Sequence, residues 1–284
     1  MARRLALCAM TAAALAGCTS PPGKVLVIDT SRQAQAHSSR VQYIVVHYTA
    51  ASLERSLQLL TGPRVSSHYL ITDEPRPRVM RLADESRSAW HAGQSAWYGR
   101  TWLNANAIGI EIVNPGYDRS ENGTRAWAPY SEAQIEHTIA LIRDIARRHD
   151  ISPENIVGHS DIAPQRKTDP GPLFPWNRLA QAGLGRWYDA TALQQALAQL
   201  NTAGTPDLFW FQRMLRDAGY DVPQHGLLDQ ATRRVLAAFQ MHYRPQRHDG
   251  EPDRETAAIL MVLPQVSGEP RISGGNYPPG DDEQ

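Results

Sequence analysis

Ala107-Ile108-Gly109-Ile110-Glu111-Ile112-Val113 alternates with a period of two, so its isoleucines share one face of a strand and Gly109, Glu111 and Val113 share the other. Glu111 therefore points away from the isoleucine side. Upstream, residues 41–46 alternate in the same way and read as a buried strand ending at His47. Between these two, residues 67–71 and 79–82 read as short strands around a turn that contains Pro75 and Pro77. Downstream, the spacing of Ile135, Ile139, Ile142 and Ala146 predicts a helix over residues 132–148. It opens with a capping-box pattern at Ser131 and Gln134, and it closes with Arg147, Arg148 and His149, which suit the negative end of the helix dipole. Residues 155–157 then form a short strand that delivers a loop beginning Gly158-His159. Strands alternating with helices imply an α/β domain with helices packed on a sheet.

With 284 residues, of which 42% are hydrophobic, the chain has room for two folded units plus tails and is too diffusely apolar for a multi-span membrane protein. A formal net charge of zero gives no electrostatic reason to expect nucleic acid as a partner. Residues 1–18 have the layout of an export signal: Arg3 and Arg4 precede an apolar run over residues 5–15 that ends in small side chains. Leu15-Ala16-Gly17-Cys18 resembles a bacterial lipobox, which implies a lipid on Cys18 and a membrane anchor without a spanning helix. By the same resemblance, Thr19 after the cysteine favours an outer-membrane lipoprotein facing the periplasm, with a polar tether over residues 19–39 leading to the folded part. Both cysteines, Cys8 and Cys18, lie in this leader, so the folded part is expected to hold neither disulfide nor thiolate metal site.

Beyond residue 184 the pattern changes. Residues 185–205 read as a helical connector broken by Gly204 and Pro206, and a second unit follows over residues 206–265. Leu208, Phe211 and Leu215 mark one helix, Thr232, Val235, Leu236 and Phe239 a second, and Thr256, Ile259 and Leu260 a third, which together predict a small three-helix bundle. Its halves echo each other, Gly226, Asp229 and Thr232 matching Gly250, Asp253 and Thr256. The Pro, Gly and acidic composition of residues 266–284 predicts a disordered tail.

Sites in α/β domains are built at strand ends and the loops after them, which singles out His47 and His159 among the ten histidines. Asp169 follows His159 by ten positions in a loop punctuated by Pro164, Pro170, Gly171 and Pro172. Two imidazoles and one carboxylate leave the fourth corner of a tetrahedral zinc open for water, the arrangement of a hydrolytic site. By spacing alone, the same residues could equally be hydrogen-bonded loop histidines with an unrelated acid.

The wording at these positions narrows the choice. Val45-Val46-His47-Tyr48-Thr49-Ala50, Ile108-Gly109-Ile110-Glu111, Gly158-His159-Ser160-Asp161-Ile162-Ala163-Pro164 and Arg166-Lys167-Thr168-Asp169-Pro170-Gly171 resemble the zinc N-acetylmuramoyl-L-alanine amidases of the AmpD and AmiD type. These enzymes share their fold with peptidoglycan recognition proteins. The resemblance covers roughly residues 40 to 180, and implies an amidase domain over residues 40–184 with a mixed central sheet flanked by helices. It makes His47, His159 and Asp169 the zinc ligands, with Glu111 and Lys167 acting on a peptidoglycan or muropeptide substrate. The chemistry agrees, since Glu111 could shuttle the water proton to the departing amine and Lys167 could face the oxyanion. Trp90-His91-Ala92-Gly93 resembles a family segment near the active site, so His91 is expected either to contact substrate or to order its loop. Tyr48 and Asn114 adjoin the proposed catalytic groups and are further candidates for substrate contact. Trp97, Tyr98 and Trp102 could stack on sugar rings or serve as core or lid packing, and His68 is expected to be structural. The C-terminal unit resembles a peptidoglycan-binding domain of the three-helix type through Phe211-Gln212-Arg213-Met214-Leu215, Gly219-Tyr220 and Phe239-Gln240, departing from the commonest spacing at residues 243–248. A non-catalytic recognition module on this fold would lack a ligand or the acid-base residue, and none is missing. The phage lysozyme branch, which by resemblance uses a cysteine ligand, is excluded because no cysteine follows Cys18.

Overall fold

The computed structural model describes residues 26–119 and 125–264. The export signal with Cys18, the first part of the tether and the acidic tail lie outside the described residues. The chain divides into two units, Met1–Gln35 and Ala36–Gln284. In the first, residues 26–35 are exposed chain without regular structure. All that follows concerns the second.

Its elements run in chain order as β1 (Tyr43–Tyr48), α1 (Leu53–Leu60), β2 (Tyr69–Ile71), β3 (Val79–Arg81), β4 (Ala96–Trp97), β5 (Arg100–Thr101), β6 (Ala107–Ile112), β7 (Tyr117–Arg119), β8 (Arg125–Trp127), α2 (Glu132–His149), β9 (Ile156–Gly158), α3 (His159–Ile162), α4 (Trp176–Gln181), α5 (Ala190–Ala203), α6 (Leu208–Asp217), α7 (Gln230–Tyr243) and α8 (Arg254–Val262). The described strands of the main sheet lie in the order β3-β2-β6-β1-β9. β2, β6, β1 and β9 are parallel neighbours and β3 adds an antiparallel edge, so the sheet is mixed as expected.

Alternation assigns the two faces. Ile44, Val46, Ile108, Ile110, Ile112 and Ile156 form one apolar cluster with Ile135, Ile142 and Ile145 of α2 and Leu179 of α4. The Ser131 and Gln134 capping box starts α2 as the sequence predicts. The Gln134 side chain also donates to Val113 O (2.8 Å), tying the helix start to the end of β6. On the opposite face, Tyr43, Val45 and Val157 belong to a second cluster that continues through Trp97 and Ile162 into Tyr220, Phe211 and Phe239 of the C-terminal bundle. The sheet and the bundle thus share one core, and α5, read from sequence as a connector, packs Leu193, Ala196 and Leu200 into it alongside α8.

The echo within the bundle has a structural cause. The Gln212 side chain accepts from Gly226 N (2.7 Å) and donates to Thr232 Oγ1 (2.9 Å), while Gln240 accepts from Gly250 N (2.8 Å) and donates to Thr256 Oγ1 (3.0 Å). Asp229 and Asp253 cap α7 and α8 through the backbone N–H groups of those threonines. Each half therefore uses one buried amide to close its loop and hold its helix start. Gly250 must lack a side chain, because a Cβ there would lie 2.4 Å from Arg233 O.

At the other end of the sheet, Glu85 joins two elements. It accepts from Tyr69 Oη of β2 and is paired with Arg148 and His149 in the last turn of α2, the His149 contact being 2.8 Å. Burial alone would raise its carboxyl, but Arg148, His149 and Tyr69 outweigh burial and lower it from the ordinary 4.5 to about 2. A depressed folded-state value stabilises above the unfolded one and is lost as pH falls through the folded one. Glu85→Gln is expected to cost about 1 kcal/mol near neutral pH, after allowance for solvent screening of the partly exposed Arg148. The difference from wild type should shrink between pH 4.5 and about 2, and urea melts across that range check it.

Candidate active site

β1 and β6 pair in parallel with His47 directly opposite Glu111. Both residues lie near the carboxyl ends of their strands, where parallel sheets present ligands and catalytic groups. Val46 pairs with Gly158, so the next residue of β9's chain, His159, arrives beside His47 as the first residue of α3. The strand read over residues 41–46 and ending at His47 begins two positions later, at Tyr43, and runs one residue past His47, to Tyr48. Asp169 is brought in by the backbone: Ser160 N donates to Asp169 O (2.8 Å), closing the loop between the two.

The result is a triangle of donor atoms. His47 Nδ1 lies 2.9 Å from His159 Nδ1 and 3.0 Å from Asp169 Oδ2, and His159 Nδ1 lies 3.0 Å from the same oxygen. All three side chains are buried. His159 Nε2 faces Ala92 O at 3.2 Å, an acceptor only, and a proton on that nitrogen leaves the Nδ1 lone pair turned toward His47 and Asp169. His47 Nε2 faces His91 Nδ1 at 3.0 Å. Burial, with the His159 ring adding, lowers His47 to about 4 against the pull of Asp169, so it is neutral at pH 7. With its proton on Nε2, donated to His91, the two ring nitrogens and the carboxylate oxygen face one point, as a group that could hold a metal ion does. Donors around a tetrahedral zinc lie about 3.3 Å apart, within a few tenths of an ångström of this triangle. The residues therefore fit a small divalent cation with nitrogen and oxygen ligands.

Glu111 shares the face of His47, and its Oε2 is buried without a hydrogen-bond partner among the described residues. Burial pushes its carboxyl well above the ordinary range, the Asp169 charge adds to this, and the Lys167 charge opposes it. Lys167 also acts on His47, so its ammonium lies within electrostatic reach of both. Tyr48 Oη is 3.1 Å from Thr168 Oγ1, and burial raises its phenol to about 12. The Tyr48 ring lies over Gly116, where a Cβ would approach it to 3.0 Å.

His91 and Asn114 both make hydrogen bonds within the protein. His91 contacts the nitrogen of His47 that points away from the donor triangle, and its ring occupies the space left by Gly109, whose Cβ would lie 2.5 Å from it. Burial, reinforced by the neighbouring histidines, pushes His91 well below the ordinary value, keeping it a neutral acceptor. It thereby holds the His47 ring in place. Asn114 spends its amide on the backbone, donating to Ala128 O and Pro129 O and accepting from Gly116 N, so it closes a loop. His68 is structural as expected, accepting from Gly109 N and donating to Arg87 O. Trp97 is 1% exposed and donates to Glu154 O, so it belongs to the core, whereas Trp102 is 77% exposed.

The aromatic side chains beside the site come instead from the β7–β8 hairpin. Trp127 packs on Tyr117 at 4.8 Å, lies 6.5 Å from Tyr48 and covers Gly171, where a Cβ would approach it to 2.8 Å. Tyr130 Oη donates to Pro170 O (2.7 Å), anchoring the loop next to Asp169. Strands of three residues carry too little periodicity for sequence reading to find them.

Comparison with known proteins places this geometry. The N-acetylmuramoyl-L-alanine amidase family matches residues 37–172, and a peptidoglycan binding domain family matches residues 204–260. The chain is 46% identical over 264 residues to the N-acetylmuramoyl-L-alanine amidase AmiD of Escherichia coli, covering 90% of this chain and 95% of that one. A solved complex of AmiD with anhydro-N-acetylmuramic acid-L-Ala-D-gamma-Glu-L-Lys superposes with a TM-score of 0.74, covering 83% of this chain and 93% of that one. AmpDh3 of Pseudomonas aeruginosa, 38% identical, superposes with a TM-score of 0.78 over 84% of this chain and 98% of its own. With the match to AmiD extending over nine-tenths of its length, the chain belongs to the N-acetylmuramoyl-L-alanine amidases.

Proposed function

We propose that this amidase is a zinc enzyme of the bacterial envelope. Its substrate is the amide between the lactyl group of N-acetylmuramic acid and L-alanine of the peptidoglycan stem peptide. The observation that carries the zinc reading is the buried triangle of His47, His159 and Asp169, set beside an unpaired glutamate oxygen on the neighbouring strand. The AmiD complex with a muropeptide substrate supports the choice of muropeptides.

His47, His159 and Asp169 would hold the ion. When bound, zinc supplies Lewis acidity, polarising a carbonyl and acidifying water toward neutrality. Glu111 takes the proton of the attacking water, and the upward push of its burial makes it a good holder of that proton. It then gives the proton to the nitrogen of L-alanine as the C–N bond breaks, leaving a lactyl carboxylate and a free amine. Lys167 places positive charge where the carbonyl oxygen becomes negative. Tyr48 and Trp127 supply an apolar wall to the groove.

The export signal over residues 1–18, a lipid on Cys18 and a tether to residue 39 would hold the enzyme on the outer membrane, facing the periplasm. Residues 206–265 would add a wall-binding surface that raises the local substrate concentration. No helix among the described residues is long and apolar enough to cross a membrane.

Chelation with EDTA should abolish release of stem peptide from muropeptides, and added zinc should restore it, as product mass spectrometry would show. Asp169→Ala should lose bound zinc and turnover together. Glu111→Gln should keep the metal while kcat falls about 100- to 10,000-fold, and a Glu111→Gln enzyme that turns over normally removes Glu111 from the mechanism. In cells, Cys18→Ser should move the enzyme from the membrane to the soluble fraction and abolish incorporation of labelled fatty acid.

A further inference from the structure

The carboxylate of Asp161 is fully buried two residues after His159. Among the described residues it accepts from Gly158 N (2.7 Å), which is local. It also accepts from Tyr220 Oη (2.7 Å) and His242 Nδ1 (2.8 Å), both supplied by the C-terminal bundle. Tyr220 is 2% and His242 4% exposed. The His242 ring is stacked flat between Trp176 of α4, at 4.0 Å, and Tyr243, at 4.1 Å. Trp176 in turn closes on Gly158, where a Cβ would meet it at 3.2 Å and Pro170 at 2.7 Å.

From this contact we infer that the bundle is part of the scaffold of the metal centre, with Tyr220 and His242 as positioning residues for two of its ligands. The inference rests on the metal reading of the donor triangle. α3 has four residues, its first is His159, and the N–H of its second, Ser160, holds Asp169 O. What orients this turn orients His159 directly and Asp169 through one hydrogen bond. A buried carboxylate deprived of its donors either draws in water or shifts to find others, because an unpaired buried charge costs several kcal/mol. Either response moves α3. Bundle docking does not depend on these two bonds alone, since Tyr98 N donates to Gly219 O, Arg186 donates to Ala218 O and Trp97 packs on Tyr220. The network is thus aimed at the turn and is not the sole clasp between bundle and sheet. On this reading, wall binding is one role of the bundle and completion of the catalytic centre is another.

The test uses the full chain and three variants. Tyr220→Phe keeps the ring and removes only the donor. His242→Phe keeps the stack and removes the donor, and His242→Asn restores a donor near the place of Nδ1. Zinc affinity is measured by competition with a chromogenic chelator, kcat and KM on a soluble muropeptide, and wall binding by co-sedimentation with insoluble sacculi. Zinc affinity should fall about tenfold or more in Tyr220→Phe and His242→Phe. kcat at saturating zinc should fall with KM nearly unchanged, sacculus binding should stay at the wild-type level, and His242→Asn should recover much of the loss. Wild-type zinc affinity and kcat in folded Tyr220→Phe and His242→Phe would overturn the inference. If His242→Phe does not fold, Tyr220→Phe decides. A wild-type protein that binds no zinc would instead overturn the metal reading itself.

Discussion

Parallel pairing of β1 with β6 sets His47 against Glu111, and the site depends on that register. A slip of one residue would turn the isoleucines of β6 toward the donor triangle and Glu111 into the core beneath α2. The register is held because Ile108, Ile110 and Ile112 are fully buried against α2, together with Ile44 and Val46. The apolar face therefore positions the polar one. Burial of isoleucines that never approach substrate decides where the glutamate and the histidine stand. β9 extends the same logic, since pairing of Val46 with Gly158 delivers His159 at the sheet's carboxyl edge.

Much of this could be read from the chain because it is written in long periodic segments. β6 and α2 appear where alternation and helical spacing put them, and the Gln212 and Gln240 loops explain an echo visible in the sequence. Shorter elements escape. β4, β5, β7 and β8 have two or three residues each and gain their order from tertiary contacts such as Trp97 on Tyr220. α1, eight residues after the cap at Ser52, is not read from the sequence, because so few turns leave little helical periodicity to see. Within the site, motif position tells which residues are near His47, His159 and Asp169 and not which side of them they occupy. His91 stands at the far nitrogen of His47, and Asn114 has no amide group left for substrate.

The histidines show why an outer layer is needed at all. A neutral imidazole presents one lone pair, and the partner of its other nitrogen decides which atom that is. The short run His91-Ala92 supplies both partners, a ring nitrogen for His47 and a carbonyl for His159. Arg166 reinforces the arrangement by donating to Gln94 O (2.7 Å) and to Ala92 O. Gly109 and Gly93 make room for this layer, as a Cβ would lie 2.5 Å from His91 in one case and 2.9 Å from Arg166 in the other.

Collecting two imidazoles, Asp169 and Glu111 in one buried space works against folding. Hydrogen bonds cannot satisfy three converging lone pairs, and the unpaired Glu111 oxygen adds the cost of desolvation. Such a site persists only where the surrounding structure over-determines it. Here the register of β1 and β6 confines His47 and Glu111, the Ser160 bond confines Asp169, and the Asp161 network confines the turn that carries His159. A cation that neutralises the triangle removes part of this cost, so binding it and folding around it share one free energy. The rigidity of the shared core then has a chemical purpose, since a looser junction between sheet and bundle would let α3 relax and the donors drift apart.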